Sequence, residues 1–112
     1  MSTDSYMKRG DLEPDLVLVA EDRNHIADFQ QVVSWRVLGA QAGQLIINAA
    51  PAHVVVDPAT PWRATLTYEW QSGDTDTVGV IRVEAEAMWP GNRPETFPSD
   101  GTVAVWVRPD LG

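Results

Sequence analysis

The chain has no cysteine among its 112 residues, which excludes a disulfide framework, a thiolate nucleophile and a Cys-ligated metal site. Stability must come from packing and backbone pairing. Only two histidines occur, His25 in a polar turn and His53 beside a valine run. Nothing sets a serine, a carboxylate and a histidine in a catalytic order, so the sequence points away from an enzyme. Helical periodicity is nearly absent, since no stretch repeats apolar residues at i, i+3, i+4 and i+7 between a cap and a stop. No apolar run approaches the ~20 residues of a membrane span, and the polar start lacks the apolar core of a signal peptide. The expected place of synthesis is a cytoplasm, in which the protein stays or from which lysis releases it.

Positive charge is scarce. Eight Lys and Arg stand against sixteen Asp and Glu, a net charge of -8. That charge repels phosphate backbones and anionic lipid heads over a Debye length of ~8 Å at physiological salt, so neither nucleic acid nor a membrane is an expected partner. Gly73-Asp74-Thr75-Asp76-Thr77 carries carboxylates as a calcium loop does, but such a site needs about six to eight oxygens. The twelfth residue from Asp74, where an EF-hand places a bidentate Glu, is Ala85. The expected role is a structural turn over Gly73, Asp74, Thr75 and Gly79, with Asp and Thr side chains bonding nearby backbone N–H groups. Glu84 and Glu86 lie two apart on one strand face and read as a solvated surface, and Arg9-Gly10-Asp11 copies a receptor-binding tripeptide of a kind that chance supplies. No cofactor or metal is expected.

What is present is alternation with a period of two. Residues 15–21 set Leu16, Leu18 and Ala20 against Val17 and Val19, apolar on both faces, which predicts a first strand with something covering its outer side. In residues 31–38 Val33, Trp35 and Val37 share a face opposite Ser34 and Arg36, and a core strand is predicted. A flexible connector over 39–43 and two short strands over 44–48 and 53–57 follow. Trp62, Ala64, Leu66, Tyr68 and Trp70 then alternate with Arg63, Thr65, Thr67 and Glu69, the cleanest pattern in the chain. A polar loop leads to a long strand from Gly79 to Trp89, a Pro90-Gly91-Asn92 turn, a return over 95–97 and a last strand over 103–107.

About seven short strands with regular turns predict an all-β, immunoglobulin-like antiparallel sandwich over residues 14–108, with a small barrel as the alternative. Residues 1–13 read as a flexible arm and 109–112 as a tail. The expected core includes Val33, Trp35, Val37, Leu66, Tyr68 and Val83. Five tryptophans are too many for so small a core, so some belong at protein contacts. Trp62, Trp70, Trp89 and Trp106 are the candidates, with Tyr6 and Arg9 of the arm. A carbohydrate-binding module is the rival, and it requires two or three tryptophans in one exposed groove.

The order of motifs resembles the immunoglobulin-like domain of the phage baseplate upper protein N-terminal family. The resemblance spans roughly residues 8–107. It begins with Lys8-Arg9-Gly10-Asp11, Pro14 and a Leu/Val strand, with Asp22-Arg23-Asn24 where the family has an Asp-Gly turn. Asp28-Phe29 and Val32-Val33-Ser34-Trp35-Arg36-Val37 come next. The most distinctive match is Tyr68-Glu69-Trp70 ahead of Gly73-Asp74-Thr75 and Gly79. Arg82-Val83-Glu84-Ala85-Glu86, Glu95-Thr96-Phe97-Pro98 and Asp100-Gly101 complete it. The chain departs from the family at Ile81, where a tyrosine is usual, and at the Pro90-Gly91-Asn92 hairpin. The resemblance implies no chemistry. It implies a virion structural protein of a tail, baseplate or head-to-tail connector, with capsid decoration as an alternative. Its expected partners are other virion proteins and copies of itself in an oligomer or symmetric ring.

Overall fold

Alternating side chains become strand nearly everywhere the pattern occurs. The computed structural model describes residues 5–98 and 102–110. Among them lie β1 Ser5–Lys8, β2 Leu16–Glu21, a 3-10 turn Phe29–Gln31, β3 Ser34–Gln41, β4 Gln44–Ala50, β5 His53–Val56, β6 Arg63–Tyr68, β7 Gly79–Trp89, β8 Arg93–Phe97 and β9 Val103–Arg108. One sheet runs β1-β9-β7-β3-β4 with β8 also on β7, and the other runs β2-β6-β5. The β1–β9 pair is parallel and the other pairings are antiparallel.

The fold is an all-β sandwich whose core comes from the two inner faces. Leu16, Leu18 and Ala20 of β2 and Ala64, Leu66 and Tyr68 of β6 meet Val37, Ile81, Val83, Ala85, Val105 and Val107 of the larger sheet. The long strand β7 organises that sheet. Its first half pairs with β9 and its second half with β8, so β8 and β9 lie end to end along one side of it. Asp100 and Gly101 fall between them in the chain, outside the described residues.

Four expectations need correction. Residues 5–8 of the presumed arm form β1, with Met7 buried and paired beside Val107. A single inward residue in a four-residue strand leaves too short a pattern to read. The connector over 39–43 is mostly strand: β3 continues to Gln41, and Ala42 (φ 51°) and Gly43 (φ 78°) make a two-residue turn back to Gln44. Two successive positive φ values suit the right-handed twist of the paired strands. Val33 is not core but 70% exposed. It precedes the first residue of β3, donating its N–H to the Met88 carbonyl, and parity alone does not bury a side chain outside the paired strand. Finally, nothing in the described chain covers the outer face of β2, where Val17 and Val19 are exposed in register with Thr67 and Thr65.

Gly39 shows why a glycine interrupts β3. A Cβ there would stand 2.9 Å from Ile47 Cδ1 and 3.3 Å from Ile47 Cβ, inside the core. Gly39→Ala is therefore expected to destabilise the fold by about 1–3 kcal/mol through overpacking, read as a lower urea midpoint. An unchanged midpoint would show that Ile47 can yield.

Candidate interaction surface

The loop between β6 and β7 fixes the N-terminal segment. Asp74 is buried, and its Oδ2 accepts from the Tyr68 hydroxyl (2.5 Å) and the Gln71 N–H (2.9 Å). Burial, followed by the hydrogen bond and the charge of Asp74, raises the Tyr68 phenol well above its usual ionisation range. The tyrosine that ties this loop thus comes from β6, although the residue after Val80 is Ile81. Thr75 is fully buried and donates through Oγ1 to the Asp11 carbonyl (2.8 Å), while the Gly10 N–H donates to the Thr75 carbonyl (2.9 Å). The Arg9 N–H donates to Arg108 (2.8 Å), and the Trp70 indole to the Pro14 carbonyl (3.2 Å). The Asp74 side chain bonds a nearby N–H as the sequence predicts, but Thr75 reaches across the chain instead.

These bonds hold β1 against β9, and the pairing register assembles a surface. Tyr6, Trp106 and Val80 form one row across β1, β9 and β7. Their neighbours Met7, Val105, Val107 and Ile81 point into the core, so the row faces outward. Tyr6 is 57% and Trp106 41% exposed. Lys8 and Arg108 form the row on one side, with the Arg108 guanidinium 4.5 Å from the Tyr6 ring centroid. Ala104 and Arg82 form the row on the other side. Among the described residues the three rows present three cations and no carboxylate. At the edge, Arg9 pairs with Asp110 (3.5 Å), and Asp11 and Glu13 line a groove beside β1. Exposed aromatics flanked by arginine are the composition of a protein contact, where a rigid ring gains area and a guanidinium stacks on it.

Of the six interface candidates, Tyr6, Arg9 and Trp106 come together here and the other three do not. Trp70 is a correction, since it is 5% exposed and stands edge-on to Tyr68. The Pro14 carbonyl satisfies its indole N–H, which removes the cost of burying it. Trp89 is half-buried against Phe29 and donates to Glu95 (2.9 Å). Trp62 is half-buried under His25, ring centroids 4.5 Å apart. Trp35 is only partly buried, edge-on to Phe29, whereas Val37, Leu66, Tyr68 and Val83 are core as predicted. Of the five tryptophans, Trp70 is buried, Trp35, Trp62 and Trp89 are half-buried, and Trp106 alone is exposed, whereas a carbohydrate module requires two or three in one exposed groove. Glu86 forms a cross-strand ion pair with Arg36 (3.2 Å) on the solvated face.

At the other end of the sandwich, the Asp22 carboxylate organises the loop after β2. It accepts from the N–H groups of Ala27 (2.8 Å), Asn24 (3.1 Å) and Ile26 (3.0 Å), which favour its ionised form and lower its pKa from 3.8. A depressed carboxylate stabilises the fold above the ordinary Asp range, and that contribution is lost as pH falls through the folded value. A carboxyl NMR titration is expected to place the Asp22 midpoint below 3.8, with the three amides shifting together. A midpoint at or above that value would show that the loop is not held this way. Compared with protein-family models, curated proteins and solved structures, the chain finds no match.

Proposed function

We propose that the chain is a structural component of a bacteriophage particle, an immunoglobulin-like sandwich that joins a tail, baseplate or head-to-tail connector by protein–protein contact. Three features support the reading. The order β2-β6-β5 facing β9-β7-β3-β4 suits an immunoglobulin-like arrangement with one added edge strand. The motifs from Lys8 to Val107 follow the order of the phage family they resemble. The observation that carries the contact role is the outward row of Tyr6, Trp106 and Val80, flanked by Lys8, Arg108 and Arg82.

The test mixes the purified protein with the capsid, connector and tail proteins encoded beside it and measures complexes by light scattering after gel filtration. A defined complex is expected with at least one of them. Trp106→Ala is expected to weaken it by ~30-fold or more, as removal of a central aromatic anchor does, while the melting temperature moves little because the side chain lies on the outer face. A monomer that ignores all of them, or a complex indifferent to Trp106, would overturn the proposal.

A further inference from the structure

We infer that the chain assembles head to tail with copies of itself, the cationic aromatic face of one copy seated in an acidic hollow on the smaller sheet of the next. The inference rests on the reading of that face as a contact surface. The hollow lies where β4 crosses to β5. Ala50, Pro51 and Ala52 wall it together with Thr67 and Tyr68, enclosing about 720 Å³. Asp15, Glu69 and His53 line it, and none of the described lining residues is Lys or Arg. An apolar floor bordered by two carboxylates complements an aromatic row bordered by cations in both shape and sign.

Placement supports the same pairing. The face lies on β1, β9 and β7 of the larger sheet, while the hollow lies at one end of the smaller sheet, with Asp15 before β2, Thr67 to Glu69 at the end of β6 and His53 of β5. Charge disfavours the symmetric alternatives. A two-fold contact centred on the Tyr6, Trp106 and Val80 row would gather Lys8, Arg82 and Arg108 of both copies, with Asp11 and Glu13 only at the groove beside β1, and one through the hollow would gather Asp15 and Glu69 of both. Between chains that each carry -8, the heterologous contact is the one that pairs opposite signs. Such contacts close into a ring when the rotation between copies closes, and otherwise extend as a filament.

Two variants test this in the full chain. Lys8→Glu with Arg108→Glu reverses the face, and Asp15→Asn with Glu69→Lys reverses the hollow. Circular dichroism checks the fold, and Glu69→Lys alone, at an exposed position, replaces the second pair if that pair unfolds. Light scattering is carried above the ~1–100 μM dissociation constants of a small interface. Wild type is expected to gain mass with concentration beyond a dimer. Each variant alone is expected to associate at least ~tenfold more weakly. Their equimolar mixture is expected to regain association, because the intact face meets the intact hollow and the reversed face meets the reversed hollow. A monomeric wild type, a variant that assembles like wild type, or a mixture that regains no association would overturn the inference. A monomeric wild type that still binds other particle proteins through Trp106 would do so while leaving the contact-surface reading intact.

Discussion

Phe29→Ala is expected to cost about 3–5 kcal/mol of unfolding free energy, the range for deleting a fully buried aromatic ring. Phe29 is 2% exposed on the 3-10 turn and closes one end of the sandwich. Its ring meets Phe97 edge-on at 5.4 Å and Trp35 at 5.6 Å, and lies 5.7 Å from Trp89. The turn cannot slide to fill the void, because Asp28 caps it through the Gln30 N–H (3.0 Å) and the Phe29 N–H is held by the Pro61 carbonyl (2.7 Å). Against a total stability of about 5–15 kcal/mol for a domain of this size, the loss is large. Urea unfolding measures it, and emission from the newly hydrated Trp35 and Trp89 is expected to shift to the red. Ile26→Ala nearby, where the side chain is exposed, is expected to stay within about 0.5 kcal/mol. Equal effects at the two positions would refute the packing account.

Asp74→Ala is expected to cost about 2–4 kcal/mol, since two donors, the Tyr68 hydroxyl and the Gln71 N–H, lose one acceptor. The double variant with Tyr68→Phe is expected to lose less than the sum of the two single changes, because no hydroxyl is then left stranded. The loss extends to β1. The loop that Asp74 shapes holds Asp11 and Gly10 through Thr75, so amide exchange at Met7 and Lys8 is expected to quicken with the variant. Alkaline pH probes the same pair. The raised phenol of Tyr68 contributes stability that is full below about pH 10, the ordinary tyrosine range, and is lost as pH rises toward the folded value. Additive single variants, or unchanged exchange in β1, would contradict this coupling.

Strands with five or more alternating residues were legible because one face of each is paired against a core. β6 and β7 follow their patterns almost residue by residue. β1 was not legible, since its partner β9 lies about a hundred residues away and only Met7 points inward. Tryptophan placement split on the same distinction between local and distant information. Trp106 alternates with Val105 and Val107, a parity that turns it outward once both valines are core. Trp70 continues the inward parity of Leu66 and Tyr68, and its strand-end position misled because the Pro14 carbonyl that receives its indole N–H belongs to another segment. The turn at Gly73, Asp74 and Thr75 was readable as a loop. That it would clamp the N-terminal segment depends on Tyr68 and Asp11, which the local sequence does not link to it.

The proposed place of the chain as a built-in part of a phage particle is tested by quantitative mass spectrometry of purified, protease-washed virions against a known-copy capsid protein. The expected result is a fixed copy number per particle, the same in independent preparations and consistent with a ring or its multiples. Absence from the particles, with the protein abundant in the lysate they came from, would contradict the claim.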